Sequence, residues 1–249
     1  MKKLIVLLLL VATPAFAASI ITRGAYSAYP FGFMGAKKAV PNVAYANVGS
    51  LAVNGSGSSV SVSLPSSTGT NDLLILTAVG YRASSNFSTP SGWTLIGNTN
   101  GCGSSWCNYV SVFYQKYAGG GAPTISGSGV VTAGIIARVT GANLTTPIGA
   151  VGSFSLGSSA PVTTTGVTTT ANNSLVMLSM SSVNGTGATF STPSGWTAAF
   201  ASYTPAFEIA AVTLAGPSSG TATGSTSSTD AGCCGGAIWT ALQFEILHR

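Results

Sequence analysis

The chain has very few ionisable side chains. Only 5% of its 249 residues are charged, and it contains four acidic residues and one histidine. Ordinary soluble domains carry about 25% charged residues, so hydroxyl, amide and glycine groups must form most of this surface. The hydrophobic fraction of 45% excludes disorder on compositional grounds, because disordered chains combine low hydrophobicity with high charge.

Side chains suited to catalysis are correspondingly scarce. A Ser-His-Asp triad would depend on His248, which follows the last apolar run. A glycosidase needs two carboxylates at one cleft, and Glu208 and Glu245 are candidates for such a pair in the second half of the chain. We expect each of them instead to be an outward-facing charge on a strand. The sequence therefore predicts a protein that is not an enzyme, and a glycoside hydrolase remains the alternative that requires this pair.

Basic residues do not form a clear patch. The formal net charge is +5, and removal of Lys2 and Lys3 with a signal peptide lowers it to +3. Nucleic-acid binding needs a clustered basic surface, so we predict no nucleic-acid partner. Weak charge also leaves little repulsion between copies, which favours self-association or docking into a larger assembly.

The N-terminus has the pattern of a secretory signal. Lys2 and Lys3 precede the apolar stretch 4–12, and a small-x-small site at 15–17 precedes Ala18. The apolar stretch is too short to span a bilayer, which disfavours a permanent anchor helix. We predict that residues 1–17 are removed, that no membrane span remains, and that the protein is secreted, extracellular, at the cell surface or associated with a virion.

Cysteine is limited to two pairs, and an even count in an exported chain indicates disulfides. We favour a bond that closes a small loop within the first pair and a bond between the adjacent cysteines of the second. Pairing between the two clusters is the alternative, and a zinc site would require the clusters to meet. We predict no metal and no cofactor, since the chain also has no Asp-rich calcium loop. The pairs are Cys102 with Cys107, and Cys233 with Cys234.

An eight-residue phrase occurs twice in the chain. Residues 87–94 and 190–197 both read Phe-Ser-Thr-Pro-Ser-Gly-Trp-Thr, 103 positions apart. Thr-Pro-Ser-Gly fits a type I turn with Pro at the second position. Similar apolar runs precede both copies, at 73–76 and 175–178. Such self-similarity predicts that a unit of roughly 100 residues has been duplicated.

Short apolar or alternating runs separated by turn residues fill the rest of the chain and indicate strands. Their number and spacing predict an all-β protein, an antiparallel β-sandwich of jelly-roll type built from the two repeats. Two tandem immunoglobulin-like domains are the alternative. The low-complexity stretch 216–232 is interpreted as a flexible loop. The predicted strands are 60–64, 73–79, 93–96, 109–117, 130–139, 162–170, 175–183, 196–203, 207–214 and 238–247.

These patterns divide the chain into three parts. They are the signal peptide 1–17, an aromatic N-terminal arm 18–58, and a sandwich domain 59–249 with repeat halves of about 59–158 and 159–249. We expect the arm to be a loosely packed strand. The alternatives are an extended linker and a segment that docks on a neighbouring subunit.

The order of several motifs resembles a poorly characterised group of β-sandwich domains. The matching segments are Asp72 to Leu74, Pro90 to Thr94, Tyr117 to Gly119, and Val139 to Ile148. Domains of this group occur in phage structural and tail-associated proteins and in secreted proteins of aquatic bacteria. The resemblance covers most of residues 59–247 and implies a sandwich fold with a structural role in a virion or outside the cell.

Exposed aromatic rings are the best candidates for a binding site, because sugars and other flat polar ligands rest on them. Trp106 lies inside the proposed Cys102–Cys107 loop, and Tyr81 and Arg82 end a strand that can line the same rim. The alternative for these residues is an ordinary surface or edge role. Trp93, Trp196 and Trp239 are expected in the core. We therefore predict a structural or adhesive protein that acts by surface contact with a glycan, cell-surface or virion partner, with a lectin-like carbohydrate-binding module as the alternative.

Overall fold

The computed structural model describes residues 42–83, 85–102, 107–129, 131–159, 161–183, 190–204, 207–224, 226–228 and 238–249. Within these ranges the protein contains sixteen β-strands and no helix, which confirms the prediction of an all-β fold. The predicted signal peptide and most of the predicted arm lie outside the described residues.

The strands form two successive sets of eight. The first set is β1 (Ala44–Val48), β2 (Ala52–Asn54), β3 (Ser59–Ser61), β4 (Leu73–Tyr81), β5 (Thr94–Cys102), β6 (Cys107–Lys116), β7 (Thr124–Ser126) and β8 (Val131–Thr140). The second set is β9 (Ile148–Val151), β10 (Ser155–Gly157), β11 (Val162–Thr164), β12 (Leu175–Val183), β13 (Thr197–Tyr203), β14 (Phe207–Ala215), β15 (Thr226–Ser228) and β16 (Ile238–Ile246).

Each set builds one six-stranded antiparallel sheet and one two-stranded sheet. Sheet 1 has the order β1-β8-β4-β6-β5, and β2 also pairs with β8. Sheet 2 has the order β10-β16-β12-β14-β13, and β9 also pairs with β16. The small sheets are β3-β7 and β11-β15. Raising each strand number by eight converts the first set of pairings into the second, so the duplication seen in the sequence is a duplication of the fold.

The two repeats share one central core between sheets 1 and 2. Strands β4 and β12 are buried along almost their whole length, which explains why they are continuous apolar runs rather than alternating ones. Their alternate residues enter the shared core and the opposite residues enter a separate outer cluster in each repeat. The shared core includes Leu73, Ile75, Val79, Val112, Ile135, Leu175, Met177, Phe207, Ile209 and Phe244.

The outer clusters lie on the other faces of the two large sheets, towards the small sheets. In the first repeat Val62 and Ile125, next to and within the small sheet, belong to the cluster that contains Leu74, Leu76 and Trp93. The second cluster contains Val162, Leu178, Met180, Phe190 and Trp239. Trp93 and Trp239 are therefore core residues as predicted, and Trp196 is half-buried against the second cluster. A single sandwich with one half from each repeat is observed, rather than two independent tandem domains.

Several predicted boundaries differ from the observed ones. Strands β1 and β2 lie inside the segment predicted as an arm, and they pair with β8 at the edge of sheet 1. Strands β9 and β10 lie before residue 158 but pair with β16 of the second repeat. The predicted strand 162–170 ends at Thr164, and the predicted loop 216–232 contains β15. These strands are only three to five residues long, so their own sequences carry little periodicity.

The repeated turn is also shifted by one residue. Its hydrogen bond runs from the Trp93 N–H to the Pro90 carbonyl at 3.1 Å, and Trp196 and Pro193 form the same bond at 3.1 Å. Gly92 and Gly195 take φ values of +80° and +81° at the third position of this turn. A positive φ at that position defines a type II turn and favours glycine. The predicted type I turn at 89–92 is therefore wrong.

Candidate functional site

A disulfide joins the last residue of β5 to the first residue of β6. Cys102 and Cys107 are register partners at the end of this hairpin, with their Cα atoms 4.0 Å apart. The bond is the one predicted from the short spacing of these cysteines. Cys233, Cys234 and Trp106 lie outside the described residues.

Tyr81 and Arg82 lie beside this disulfide. The Arg82 N–H donates to the Cys107 carbonyl at 3.0 Å, and the Arg82 guanidinium carbon is 5.4 Å from the centroid of the Tyr81 ring. The same ring packs nearly perpendicular to the ring of Phe207 in the second repeat, with the centroids 6.5 Å apart. Arg82 is exposed and Tyr81 is half-buried. The structure therefore brings both predicted residues to the disulfide end, where internal contacts engage the Tyr81 ring.

A small cleft opens at the same end between the two repeats. Its volume is about 150 Å³, whereas small-molecule sites usually occupy about 300 to 1,000 Å³. Leu156 forms one wall and is 50% exposed. The cleft is therefore too small for a typical small-molecule ligand. Its lining consists of Gly101, Cys102, Leu156, Gly157, Ser158 and Ile238.

Glu208 and Glu245 are both buried, so the expectation of outward-facing charges is wrong. They are 2% and 0% exposed. Glu208 pairs with Ser182 of β12 and Glu245 with Val176 of the same strand. These partners are six positions apart along β12, which corresponds to roughly 20 Å along a strand. A glycosidase pair lies about 5 to 9.5 Å apart, so these two carboxylates do not form one.

Glu245 anchors backbone rather than facing a cleft. Its carboxylate accepts hydrogen bonds from the N–H groups of Ala150, Thr170 and Ala171 and from the Thr170 hydroxyl, at 2.7 to 3.1 Å. Burial on its own raises the pKa of Glu245, but hydrogen bonds from Ala150, Thr170 and Ser174 outweigh that effect and hold the pKa below its ordinary value. The charged form therefore fastens the chain before β12 to β16.

Asp72 plays the corresponding role in the first repeat, but with a different partner. Its Oδ2 atom accepts a hydrogen bond from the Gly69 N–H at 2.7 Å and an ion-paired bond from Arg138 Nε at 2.6 Å. Strand register places Arg138 opposite Leu74, where Glu245 of the second repeat stands opposite Val176. The same position of the repeat thus carries a cation in one copy and an anion in the other.

Glu208 also binds a backbone group. Its Oε1 atom accepts a hydrogen bond from the Phe190 N–H at 2.7 Å. Phe190 opens the second copy of the repeated phrase. All three acidic side chains in the described ranges are therefore buried and tie a loop to a strand. Within the same ranges no group of three His, Cys, Asp or Glu side chains is placed to hold a metal ion.

Residues 216–220 read Gly-Pro-Ser-Ser-Gly, which has the spacing of a nucleophile elbow. Such an elbow needs a strand-to-helix turn, and this segment leads into a turn without a helix among the described residues. The Ser218 carbonyl instead accepts a hydrogen bond from the Thr169 hydroxyl at 2.6 Å. His248 is half-buried and forms a β-bridge with Ala142.

A larger groove, which was not predicted from the sequence, lies next to the repeated turn of the first repeat. Its volume is about 490 Å³. One wall is the turn with Trp93, and the other is the segment after β6. The signal in the sequence is the run of three glycines at 119–121, which the second repeat does not contain. The lining residues are Pro90, Ser91, Trp93, Gln115, Gly119, Gly120, Gly121, Ala122, Pro123 and Thr124.

Comparison with known proteins adds no relative. No protein-family model matches the chain, and neither a curated protein nor a solved structure shows significant similarity to it. The described ranges contain no helix of the length and hydrophobicity that crossing a membrane requires.

Proposed function

We propose that the protein is an exported, non-enzymatic β-sandwich that works by contact with another surface, as an extracellular, cell-surface or virion-associated structural or adhesive component. The proposal rests on one observation, which is that the three acidic side chains in the described ranges serve the fold rather than face a substrate. Asp72, Glu208 and Glu245 are buried and hold backbone N–H groups. Acid or base catalysis needs such groups within reach of a substrate.

The charge distribution of the described surface supports the same proposal. Arg82, Lys116 and Arg249 are exposed, and no acidic side chain in the described ranges is. A sparse positive charge on a hydroxyl-rich surface causes little repulsion between molecules. It allows close contact with neutral or weakly acidic polymers and with further copies of the protein.

The proposed compartment rests on the N-terminal pattern and on the Cys102–Cys107 bond, because disulfides persist in oxidising compartments. Expression of the full chain in a bacterial host with N-terminal sequencing of the exported product tests it. We expect the product to begin at Ala18 and to be found outside the cytoplasm. A product that keeps Met1 and remains in the cytoplasm contradicts export.

Surface contact is tested with the processed protein and intact cells of candidate hosts. We expect saturable binding, measured by quantitative pull-down, without release of soluble fragments detected by mass spectrometry. Heat-denatured protein is the control for nonspecific adsorption. Steady release of fragments in proportion to protein concentration contradicts the non-enzymatic assignment, and absence of binding to cells, envelopes and virions contradicts contact.

A lectin-like module is the second candidate, and the groove beside Trp93 favours it. This groove has the volume of a ligand site and is lined by neutral polar groups and rings. None of its lining residues is Tyr81 or Arg82. The binding site predicted from Tyr81, Arg82 and Trp106 stays a separate prediction.

A further inference from the structure

The groove of the first repeat is polar but uncharged. Its ten lining residues include two prolines, one tryptophan, one glutamine, two hydroxyl side chains and three glycines, and none is acidic, basic or histidine. Its volume of about 490 Å³ lies within the range of small-molecule sites. A charged ligand finds no counter-ion among these side chains, so the chemistry of the lining favours a neutral ligand.

Two side chains in the groove have unused hydrogen-bonding capacity. Gln115 is half-buried, and its amide group has no hydrogen-bond partner in the described part of the chain. The Trp93 indole N–H also has no acceptor among the described residues, and although the residue is only 7% exposed, this nitrogen is not one of the buried atoms that lack a partner. Both groups are accessible from outside the protein and line the groove, so they are available to the hydroxyl groups of a ligand.

The glycine segment leaves its peptide groups open to the groove. Gly119 and Gly120 have φ values of +99° and +135°, and no atom lies within 4 Å of the position that a Cβ would take at Gly119, Gly120 or Gly121. The segment is nevertheless fixed. The Tyr117 hydroxyl donates to the Gly120 carbonyl at 3.0 Å, and the Pro123 carbonyl accepts the Val62 N–H at 2.9 Å. These two carbonyls fix the segment, and the N–H groups at 119–121, which have no backbone partner among the described residues, are thus held in place before a ligand arrives.

The second repeat does not preserve these features. Strand register places Leu214 where the first repeat has Gln115, because they face Val176 and Leu74 at equivalent positions of β12 and β4. The segment after β14 begins Gly216-Pro217-Ser218. Two of its carbonyls accept internal hydrogen bonds, Pro217 from the Asn173 N–H at 3.1 Å and Ser218 from the Thr169 hydroxyl at 2.6 Å, as the carbonyls of Gly120 and Pro123 do in the first repeat. The second repeat therefore keeps the same fold without an amide side chain at the position of Gln115 and without three consecutive glycines after the strand.

We propose that this groove of the first repeat binds a neutral carbohydrate chain. The Gln115 amide and the open peptide groups at 119–121 bind sugar hydroxyls, and the ring face of the half-buried Pro123 contacts the apolar side of the sugar. Sites for small ligands combine a few placed polar groups with apolar contact area in this way. The inference rests on the proposed function of contact without chemistry, and it names the site and ligand class for the lectin-like candidate.

Two variants and one matched control test the site. Gln115→Leu introduces the residue of the second repeat and removes the amide. Gly121→Tyr puts a bulky side chain on the groove lining, at a glycine without a positive φ and with open space around it. Gly55→Tyr is the control, since Gly55 has the same open surroundings but does not line the groove. Thermal unfolding first establishes that all three variants fold.

The ligands are cellohexaose, laminarihexaose, chitohexaose and mannohexaose, with hexagalacturonate as the charged comparison, and binding is measured by titration calorimetry. We expect at least one neutral hexaose to bind the wild type, and the affinity to fall about tenfold in Gln115→Leu, the equivalent of one or two lost hydrogen bonds. Gly121→Tyr should lower it further, and Gly55→Tyr should leave it unchanged.

The inference is overturned if no neutral hexaose binds the wild type, if only hexagalacturonate binds, or if Gln115→Leu and Gly121→Tyr bind as the wild type does. Mass spectrometry of the same mixtures tests the proposed function separately. Cleaved hexaose would refute the non-enzymatic assignment, whereas intact hexaose without binding refutes only the carbohydrate groove.

Discussion

The hydroxyl groups of Thr77 and Ser179 form a hydrogen bond of 3.1 Å in the centre of the shared core. Thr77 lies on β4 and Ser179 on β12, 102 positions later. Both are the fifth residue of their strand, so they occupy the same place in the two repeats. Direct contact between equivalent residues is what a twofold rotation about an axis between the sheets produces. This pair therefore marks the axis that relates the repeats.

Removing one hydroxyl of this pair should destabilise the protein. Thr77→Val or Ser179→Ala leaves the other hydroxyl buried without its partner, and we expect a loss of about 1 to 3 kcal/mol in the free energy of unfolding. The double variant should lose less than the sum of the two single losses, because it leaves no orphaned hydroxyl. Urea denaturation measures all four proteins. Strictly additive losses would show that the two hydroxyls do not interact.

The Glu245 anchor predicts acid sensitivity. Hydrogen bonds to its charged form hold its pKa below the ordinary value of 4.5, so this carboxylate contributes stability that is fully present above about pH 4.5 and is lost as the pH falls through its folded-state pKa. Glu245→Gln should therefore lower the free energy of unfolding at pH 7 by about 2 kcal/mol.

The pH dependence distinguishes this cause from a packing defect. Urea denaturation of wild type and Glu245→Gln between pH 7 and pH 2.5 should give a difference that is constant above pH 4.5 and shrinks below it. A difference that stays the same across the whole range would rule out the ionised carboxylate as its source.

The divergent anchors of the two repeats can be exchanged. Arg138→Glu alone places a second carboxylate beside buried Asp72, and we expect a loss of more than about 3 kcal/mol in unfolding free energy. The double variant Asp72→Ser, Arg138→Glu carries in the first repeat the two residues that the second repeat has at these positions, Ser174 and Glu245. Thr170 and Ala171 donate their N–H groups to Glu245. Thr68 and Gly69 occupy the equivalent positions of the first repeat. The double variant should regain roughly half of that loss.

Chemical denaturation of the single and double variants at pH 7 checks the exchange. Asp72→Ser alone is the control for loss of the first anchor. If the double variant is no more stable than Arg138→Glu, a glutamate at position 138 does not stabilise the first repeat as Glu245 stabilises the second. The prediction that the two anchors are interchangeable is then wrong.

The Cys102–Cys107 disulfide should make the oxidised wild type more stable than a variant that lacks this bond. It closes a loop of only six residues, from Cys102 to Cys107, and the lost loop-closure entropy corresponds to about 2 kcal/mol. Cys102→Ala, Cys107→Ala should shift the urea midpoint of the oxidised protein accordingly. Addition of a reductant to this variant isolates any effect of Cys233 and Cys234. An unchanged midpoint in the oxidised variant would contradict the expected contribution.

The sequence was sufficient to predict the long central strands and the duplication. Strands β4, β12 and β16 are apolar runs buried on both faces, and their signal is local. The edge strands β1, β2, β9 and β10 were not predicted as they occur, because an edge strand of three to five residues is defined by the backbone of its neighbour rather than by its own pattern.

The site was less predictable for a related reason. The partners of Glu245 are mainly backbone N–H groups of a loop some 75 residues away in the chain, and backbone donors have no signature in the sequence. The outward orientation expected for Glu208 and Glu245 followed from their charge alone. The cysteine pair could be predicted because its loop is short, whereas the groove at Gln115 requires the fold to bring β6 against the repeated turn.

The shared core has a consequence for how the molecule folds. Each six-stranded sheet covers its inner face only with the sheet of the other repeat, so neither half has a complete interior when alone. The duplication has converted what would be the interface of a homodimer into the interior of one polypeptide. The two halves should consequently unfold in a single cooperative transition, and a gene truncated after β8 should yield a product that dimerises or aggregates.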